Sequence, residues 1–202
     1  MTVGVVDYGA GNLKSVETAL RHLGADFFIS GRADEVDRAD RLVFPGVGEA
    51  RAAMTVLRDT GLDEAVASFY RSGRPLLGIC IGCQVALDRS EERDATCLGL
   101  VRGESRRFPD GSGLKVPHMG WNQVTPVARH ALWNGIPEGS SFYFVHSYYP
   151  VPSEESAVMA RTDYGVLFTS ALGRDNLFAV QFHPEKSGEV GLKLLSNFLS
   201  WG

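Results

Sequence analysis

The run Gly78-Ile79-Cys80-Ile81-Gly82-Cys83-Gln84 places two cysteines three positions apart, between two glycines. Several chemistries use such a spacing. A structural zinc needs about four ligands in tetrahedral array. Cys80 and Cys83 have no second pair to complete one, and Cys97 stands alone. A redox dithiol fits a C-x-x-C at a strand-to-helix junction, but it leaves Gly78 and Gly82 unexplained. Two small buried hydrophobes are the plainest reading of the cysteines. The reading that uses every residue is a nucleophile elbow, G-x-C-x-G, with sulfur in place of a serine oxygen. A nucleophile on a tight strand-to-helix turn needs small neighbours, because the backbone crowds itself there. The unpaired N–H groups at the start of the helix favour the thiolate, which is the reactive form. Cys83 is then incidental, one helical turn on and directed into packing.

A cysteine nucleophile also requires a base and a group to orient it. "QFHPEKS" at 181–187 supplies His183 and Glu185, two apart around Pro184. In an extended segment, residues i and i+2 face the same side, and Pro184 biases His183 towards extended geometry. Glu185 is thus expected to hold one ring nitrogen of His183 while the other faces Cys80. A lone H-x-E is more often a surface pair. Here an apolar strand, "LFAVQF", delivers it as another delivers Cys80. A third piece, "FPGVGEA" at 44–50, also follows an apolar strand. Its backbone is suited to an oxyanion cradle, with N–H groups from Val47 or Gly48 and from Ile81 beside the nucleophile. Read alone, it is an ordinary strand–helix turn.

These pieces must be held by a scaffold, and the periodicity describes one. "VGVVD" (3–7), "DFFIS" (26–30), "RLVF" (41–44) and "PLLGI" (75–79) read as buried strands. "LKSVETALRHLG" (13–24) has helical apolar spacing, 49–72 reads as one or two helices, and another helix starts near Ile81. The alternation implies an α/β fold: an open, mostly parallel sheet with helices on both faces. In such sheets, sites gather at strand carboxyl ends. After about residue 100 the pattern turns to short β-rich pieces: "WNQVTPV", "SFYFVHSYY", "AVMARTD", "GVLFTSAL" and "LFAVQFHPE". These extend the sheet and add an antiparallel β extension. An amphipathic helix, 188–201, ends the chain. With no long linker or repeat, residues 1–202 read as one domain.

Composition narrows the function. The 202 residues are 44% apolar and 22% charged, ordinary for a soluble globular protein. The net charge of −4 gives no basic footprint for nucleic acid. No apolar run reaches the roughly 18 residues of a membrane span, and "MTVGVVDYGAG" lacks the features of a signal peptide. Three cysteines argue against a disulfide framework and for a cytoplasmic location. Nothing in the chain calls for a metal or cofactor.

Taken together, Pro45–Gly48, Gly78–Gln84 and His183–Glu185 resemble the three motifs of the triad-type, class I glutamine amidotransferases: a PG-x-G loop, G-x-C-x-G followed by Gln, and a late HPE. "DYGAGNL" (7–13), "PHMGWN" (117–122), "FVHSYY" (144–149) and "FHPEKS" (182–187) are similar to one subgroup, the glutaminase subunits of imidazole glycerol phosphate synthase. The resemblance runs end to end. Its one departure is Cys83, where the family more often has Met. It implies hydrolysis of glutamine to glutamate and ammonia through a thioester on Cys80. By motif position it assigns substrate contacts to Gly46, Gly48, Gln84 and the His146-Ser147-Tyr148 run, with Glu92 a further candidate at the amino-acid end of glutamine. Glu92 also reads as a solvated helix end, and Ser147 and Tyr148 as part of an aromatic strand. The resemblance further implies a heterodimer with a separate (β/α)₈ barrel cyclase, which receives the ammonia in histidine biosynthesis. Trp121, Tyr143 and Lys186 belong to the subgroup motifs and are expected on the partner-facing surface.

Three other readings compete. A paralogous amidotransferase could serve another acceptor synthase, for example in surface-sugar biosynthesis. A catalytically silent subunit of the same fold would have no need of Cys80, His183 and Glu185 together. A C-x-x-C oxidoreductase would need Cys83 as much as Cys80. One regulatory expectation follows from waste: a free glutaminase would release ammonia without an acceptor. Gly46 and Gly48 allow peptide rotations that bulkier residues resist. A rotated peptide would aim a carbonyl, not an N–H, at the developing oxyanion and hold the isolated chain slow.

Overall fold

The computed structural model describes residues 1–9, 13–109 and 114–202. Ala10, Gly11 and Asn12 of the "DYGAGNL" run therefore lie outside the described residues. In the first half, β1 (Thr2–Val6), β2 (Asp26–Ser30), β3 (Arg41–Phe44) and β4 (Leu76–Ile79) alternate with α1 (Leu13–His22), α2 (Ala33–Val36), α3 (Ala50–Thr60) and α4 (Leu62–Arg71). The helix α5 (Ile81–Val85) follows β4 directly. α1 forms where the spacing predicts it and buries Val16, Ala19 and Leu20 on one stripe, with Arg21 and His22 complementing the helix dipole in its last turn. The 49–72 segment is two helices. Gly61, at φ 71°, ends α3 in a left-handed turn that only glycine adopts at little cost, and α4 starts at once.

The second half holds β5 (Arg89–Ser90), β6 (Ala95–Thr96), β7 (Gly103–Arg107), β8 (His118–Gln123), β9 (Thr125–Pro126), β10 (Ser141–His146), β11 (Tyr148–Pro152), β12 (Val158–Asp163), β13 (Leu167–Arg174), β14 (Leu177–Val180) and the closing helix α6 (Gly188–Ser200). The main sheet has the order β2-β1-β3-β4-β14-β13-β12-β9. From β2 to β14 every pairing is parallel, and from β14 to β9 every pairing is antiparallel. The expected antiparallel extension is thus β13, β12 and β9. The aromatic run 141–149 does not join it. It divides at Ser147 into β10, which pairs with β8, and β11, which joins a small sheet of order β11-β7-β5-β6. Strands β5, β6 and β7 lack the apolar alternation that marks a strand, because the buried positions of β7 are Gly103 and Ser105.

The main sheet separates two apolar clusters. Along β14, Leu177 and Ala179 face the cluster under α3, α4 and α5, while Phe178 and Val180 face the one beneath α1 and α6. That period of two is the signature of a strand buried on both faces. β4 and β14 are neighbours with Ile79 opposite Val180, so their carboxyl ends, and the residues that follow them, emerge side by side.

Candidate active site

Cys80 is the first residue past β4, and its backbone sits at φ 54°, ψ −102°. A non-glycine residue held there stores roughly 1–3 kcal/mol of strain, which the surroundings must impose. They do so closely. The Cys80 N–H donates to the Val180 carbonyl at 2.8 Å, and its own carbonyl accepts from the N–H groups of Cys83 (3.0 Å) and Gln84 (3.2 Å). The two flanking glycines are required by space. A Cβ on Gly82 would stand 2.0 Å from the Phe44 carbonyl oxygen, and one on Gly78 would stand 2.9 Å from the Ala179 Cβ. Cys83 lies in the core below with no exposure, and burial pushes its thiol well above the ordinary range. It is placed as packing. Cys97, half-buried, is likewise pushed up to about 12 by burial. All three cysteines are free, and among the described residues no three His, Cys, Asp or Glu side chains gather as a metal site would need.

β14 delivers His183 to the same edge. Its Nδ1 lies 2.8 Å from Glu185 Oε1, with both side chains fully buried. The route differs from the expected one. His183 is extended (φ −105°, ψ 92°), but Pro184–Lys186 is a turn of 3₁₀ helix, so the pair meets by folding back rather than along one face of a strand. Pro184 favours that turn, since its fixed φ suits a first helical position. Burial disfavours the imidazolium, but the hydrogen bond and charge of Cys80, followed by those of Glu185, outweigh it and push His183 up to about 10. His183 therefore rests as an imidazolium between Cys80 and Glu185. The turn is pinned from behind: the His183 N–H donates to the Tyr143 carbonyl (2.9 Å), and the Ser187 hydroxyl donates to the His183 carbonyl (2.6 Å) while accepting from the Tyr143 N–H (3.0 Å).

A cavity of about 320 Å³ opens over Cys80 and is lined by Val47, Gly48, Ile81, Gln84, Glu92 and the 146–148 run. The structure therefore brings together the residues expected around a small substrate, with Gly46 buried just behind. Their side chains differ in what they have to offer. Gln84 Nε2–H donates to the Tyr148 carbonyl (3.0 Å) and to Gln181 Oε1 (3.1 Å), while Gln84 Oε1 has no partner among the described residues. Glu92 accepts from the Ala50 N–H at 2.7 Å and so caps α3 as well as facing the cavity; burial raises its carboxyl above the usual range. Ser147 and Tyr148 are half-buried at the edge.

The His146 ring has no nitrogen left for a ligand. Its Nδ1–H donates to the Tyr148 carbonyl (2.7 Å), so its Nε2 must accept from His118 Nδ1–H (2.9 Å), and His118 Nε2 accepts from Asn122 (3.3 Å). Burial holds both rings neutral, down to about 3 for His146 and about 4 for His118. Two participants escaped the sequence reading. His118 lies inside the "PHMGWN" segment. Gln181, the first residue of "QFHPEKS", is fully buried and directs its Nε2–H at Cys80 Sγ, 3.7 Å away. Its signal was position: it ends the strand that presents His183.

The oxyanion cradle is not assembled as expected. The Ile81 N–H is within 3.5 Å of the Gly46 carbonyl. In a planar trans peptide the C=O and the following N–H point in opposite directions. With the Gly46 carbonyl aimed at Ile81, the Val47 N–H is turned away from it. Gly48 sits at φ 104° in open space. Trp121 and Tyr143 face each other across β8 and β10, rings 6.1 Å apart, with Trp121 exposed and Tyr143 half-exposed; Lys186 is exposed beside the 183–185 turn.

The comparisons with known proteins agree with this geometry. The family described as Glutamine amidotransferase class-I matches residues 4–200. The chain is 52% identical to "Imidazole glycerol phosphate synthase subunit HisH" of Nitrosococcus oceani, over 99% of this chain and 97% of that one. It is 49% identical to the protein of the same description in Geobacillus thermodenitrificans, over 98% and 94%. Among solved structures, PurLQS from Thermotoga maritima overlays with a TM-score of 0.77 at 19% identity, covering 98% of this chain and 97% of that one. A glutamine amidotransferase from the same organism overlays with a TM-score of 0.69 at 14% identity, over 98% and 96%; at such identities these two speak for the fold alone. With the match spanning nearly every residue, the chain belongs to the class I glutamine amidotransferase family.

Proposed function

We propose that the chain is the glutaminase subunit of an imidazole glycerol phosphate synthase, that residues 1–202 act as one domain, and that it works in the cytoplasm beside a separate (β/α)₈ cyclase. The observation that carries this reading is identity of about half, end to end, to proteins described as that subunit. The site chemistry supports it. The Cys80 thiolate attacks the carboxamide carbon of glutamine. The His183 imidazolium gives its proton to the departing ammonia, leaving a γ-glutamyl thioester. Neutral His183 then takes a proton from water, which attacks the thioester and releases glutamate and the thiol. Glu185 holds the ring through Nδ1 and stabilises its cationic form. Gln84 offers an acceptor to the substrate's N–H groups, and Glu92 is positioned for its ammonium. Trp121, Tyr143 and Lys186 form part of the partner-facing surface, the side on which the 183–187 turn is anchored to β10.

The 45–48 loop is the proposed control. Rotation of the Gly46–Val47 peptide would swing the carbonyl off Ile81 and bring the Val47 N–H in its place, so that both donors meet the oxyanion. Lack of one such donor typically costs about 10²–10³-fold in rate. A steady-state glutaminase assay tests this. The isolated chain is expected to be slow, and the chain bound to its synthase subunit, with imidazole glycerol phosphate in the synthase site, faster by that order. Full activity in the isolated chain would refute the gating.

A further inference from the structure

Tyr8 follows β1 and packs its ring edgewise on Phe44, centroids 5.7 Å apart. The residue is only 7% exposed. Its hydroxyl oxygen is shut off from solvent and has no hydrogen-bond partner among the described residues. Buried hydroxyls nearly always have one, because leaving a donor unpaired away from water is destabilising. Burial, and then the charge of Cys80, keep the phenol protonated and therefore a donor.

The position of that donor is specific. A Cβ placed on Gly46 would fall 1.7 Å from Tyr8 Oη, so Oη rests against Gly46 Cα. This explains why residue 46 has no side chain. It also sets the donor beside the pivot of the peptide whose carbonyl occupies the Ile81 N–H. The carbonyl oxygen stays ~2.4 Å from its own Cα whichever way the peptide turns, so it keeps within reach of a group lying on that Cα.

We propose that the Tyr8 hydroxyl is the second seat of the Gly46 carbonyl, without an acceptor among the described residues in the resting loop and filled when the Gly46–Val47 peptide rotates. This deepens, and rests on, the gating reading above. Without such a seat, rotation would take a carbonyl from the Ile81 N–H and leave it buried without a donor. With it, one hydrogen bond is exchanged for another, the two loop states lie close in free energy, and a partner can shift them by modest contacts. Tyr8 is on this account a positioning residue. It acts on the loop and touches no reacting atom.

The test compares the wild type with Tyr8→Phe, alone and bound to the synthase subunit with imidazole glycerol phosphate. Phe keeps the ring and removes only the hydroxyl. The isolated variant is expected to match the isolated wild type in rate, and to melt at the same temperature or higher, because the hydroxyl has no partner among the described residues in the resting state. The stimulated kcat is expected to fall about three- to tenfold, the value of one net hydrogen bond, with KM for glutamine unchanged. Equal stimulation of both proteins would overturn the Tyr8 assignment while leaving the gating intact. A lower melting temperature with both rates reduced in proportion would overturn it in favour of a structural role. A wild type that its partner does not stimulate would refute the gating and the seat together.

Discussion

Two adjoining loops line the cavity, and they are held very differently. The Cys80 elbow is fixed from all sides. Its N–H is tied to β14, its carbonyl carries two helical bonds, and its flanking glycines touch the Phe44 backbone and Ala179 with no room for a methyl group. The neighbouring 45–48 loop is held to the elbow by one long bond among the described residues, from Ile81 N–H to the Gly46 carbonyl at 3.5 Å, and Gly48 has nothing within 4 Å of where its Cβ would stand. Strain is concentrated where packing is dense, and freedom where it is sparse. The nucleophile can thus stay poised while the group that stabilises the transition state is moved. A regulator that displaced Cys80 would have to disturb the core, whereas one that rotates a single peptide need not.

The largest effect expected is on the elbow itself. Cys80→Ala should remove glutamine hydrolysis by roughly 10⁴-fold or more, the scale seen when a nucleophile is lost. Cys83→Ser should keep most of the activity and lose some stability, since a hydroxyl replaces a buried thiol. Equal loss of rate in the two variants would make the C-x-x-C a functional pair and break the contrast between a reactive and a packed cysteine. With ammonia supplied directly, the Cys80→Ala complex should still carry out the synthase step.

The glycines sharpen the comparison. Gly82→Ala would drive a methyl group to 2.0 Å from a backbone oxygen, and neither β3 nor α5 can retreat without opening the core. A loss of about 3 kcal/mol or more in chemical denaturation is expected. Gly48→Ala meets open space but must adopt φ 104°, so its cost is conformational, about 1–3 kcal/mol, and is borne by the loop. Its mark should be a changed ratio of stimulated to basal rate, with the melting transition lowered less than in Gly82→Ala. If Gly48→Ala proved as destabilising as Gly82→Ala, the loop would be as tightly held as the elbow.

Much of the elbow was legible in the sequence, because crowding leaves a local trace: glycine at fixed distances from a nucleophile, between an apolar run and a helix. The sheet was legible for the same reason, since strands buried on both faces are written as unbroken apolar stretches. What was not legible depends on which groups meet across the chain. The meeting of His183 with Glu185 could be expected from their spacing, but not the 3₁₀ turn that achieves it. Gln181 is an ordinary polar residue until β4 and β14 set it beside Cys80. Strands β5, β6 and β7 leave no apolar signal because they are short and their inner positions are the small residues Ser90, Ala95, Gly103 and Ser105. The direction of the Gly46–Val47 peptide has no sequence signature at all, since glycine permits either.

The smallest effect concerns the polar network that supports the elbow. The Tyr148 carbonyl accepts from Gln84, which bonds onward to Gln181 beside Cys80, and from His146, which is joined to His118. His118 and His146 are held neutral by burial, at about 4 and about 3, whereas His183 is held cationic at about 10. The signs are opposite. Between pH 6.5 and 5.5 the unfolded chain takes up protons on all three residues near the ordinary histidine value. The folded chain takes up none on the pair and already holds one on His183. Each member of the pair then lowers stability by about 1 kcal/mol as the pH falls, and His183 raises it by only about 0.4 kcal/mol, since half of the unfolded chains already hold that proton at pH 6.5. These three groups leave a net loss of about 1.6 kcal/mol, measurable as a shift in urea midpoint. Proton NMR of the ring signals separates them: those of His118 and His146 should stay in the neutral position throughout this range, and that of His183 in the cationic one. A titration of His146 near 6.5 would mean that the pair opens to water, and that the floor beneath Gln84 is as mobile as the loop above it.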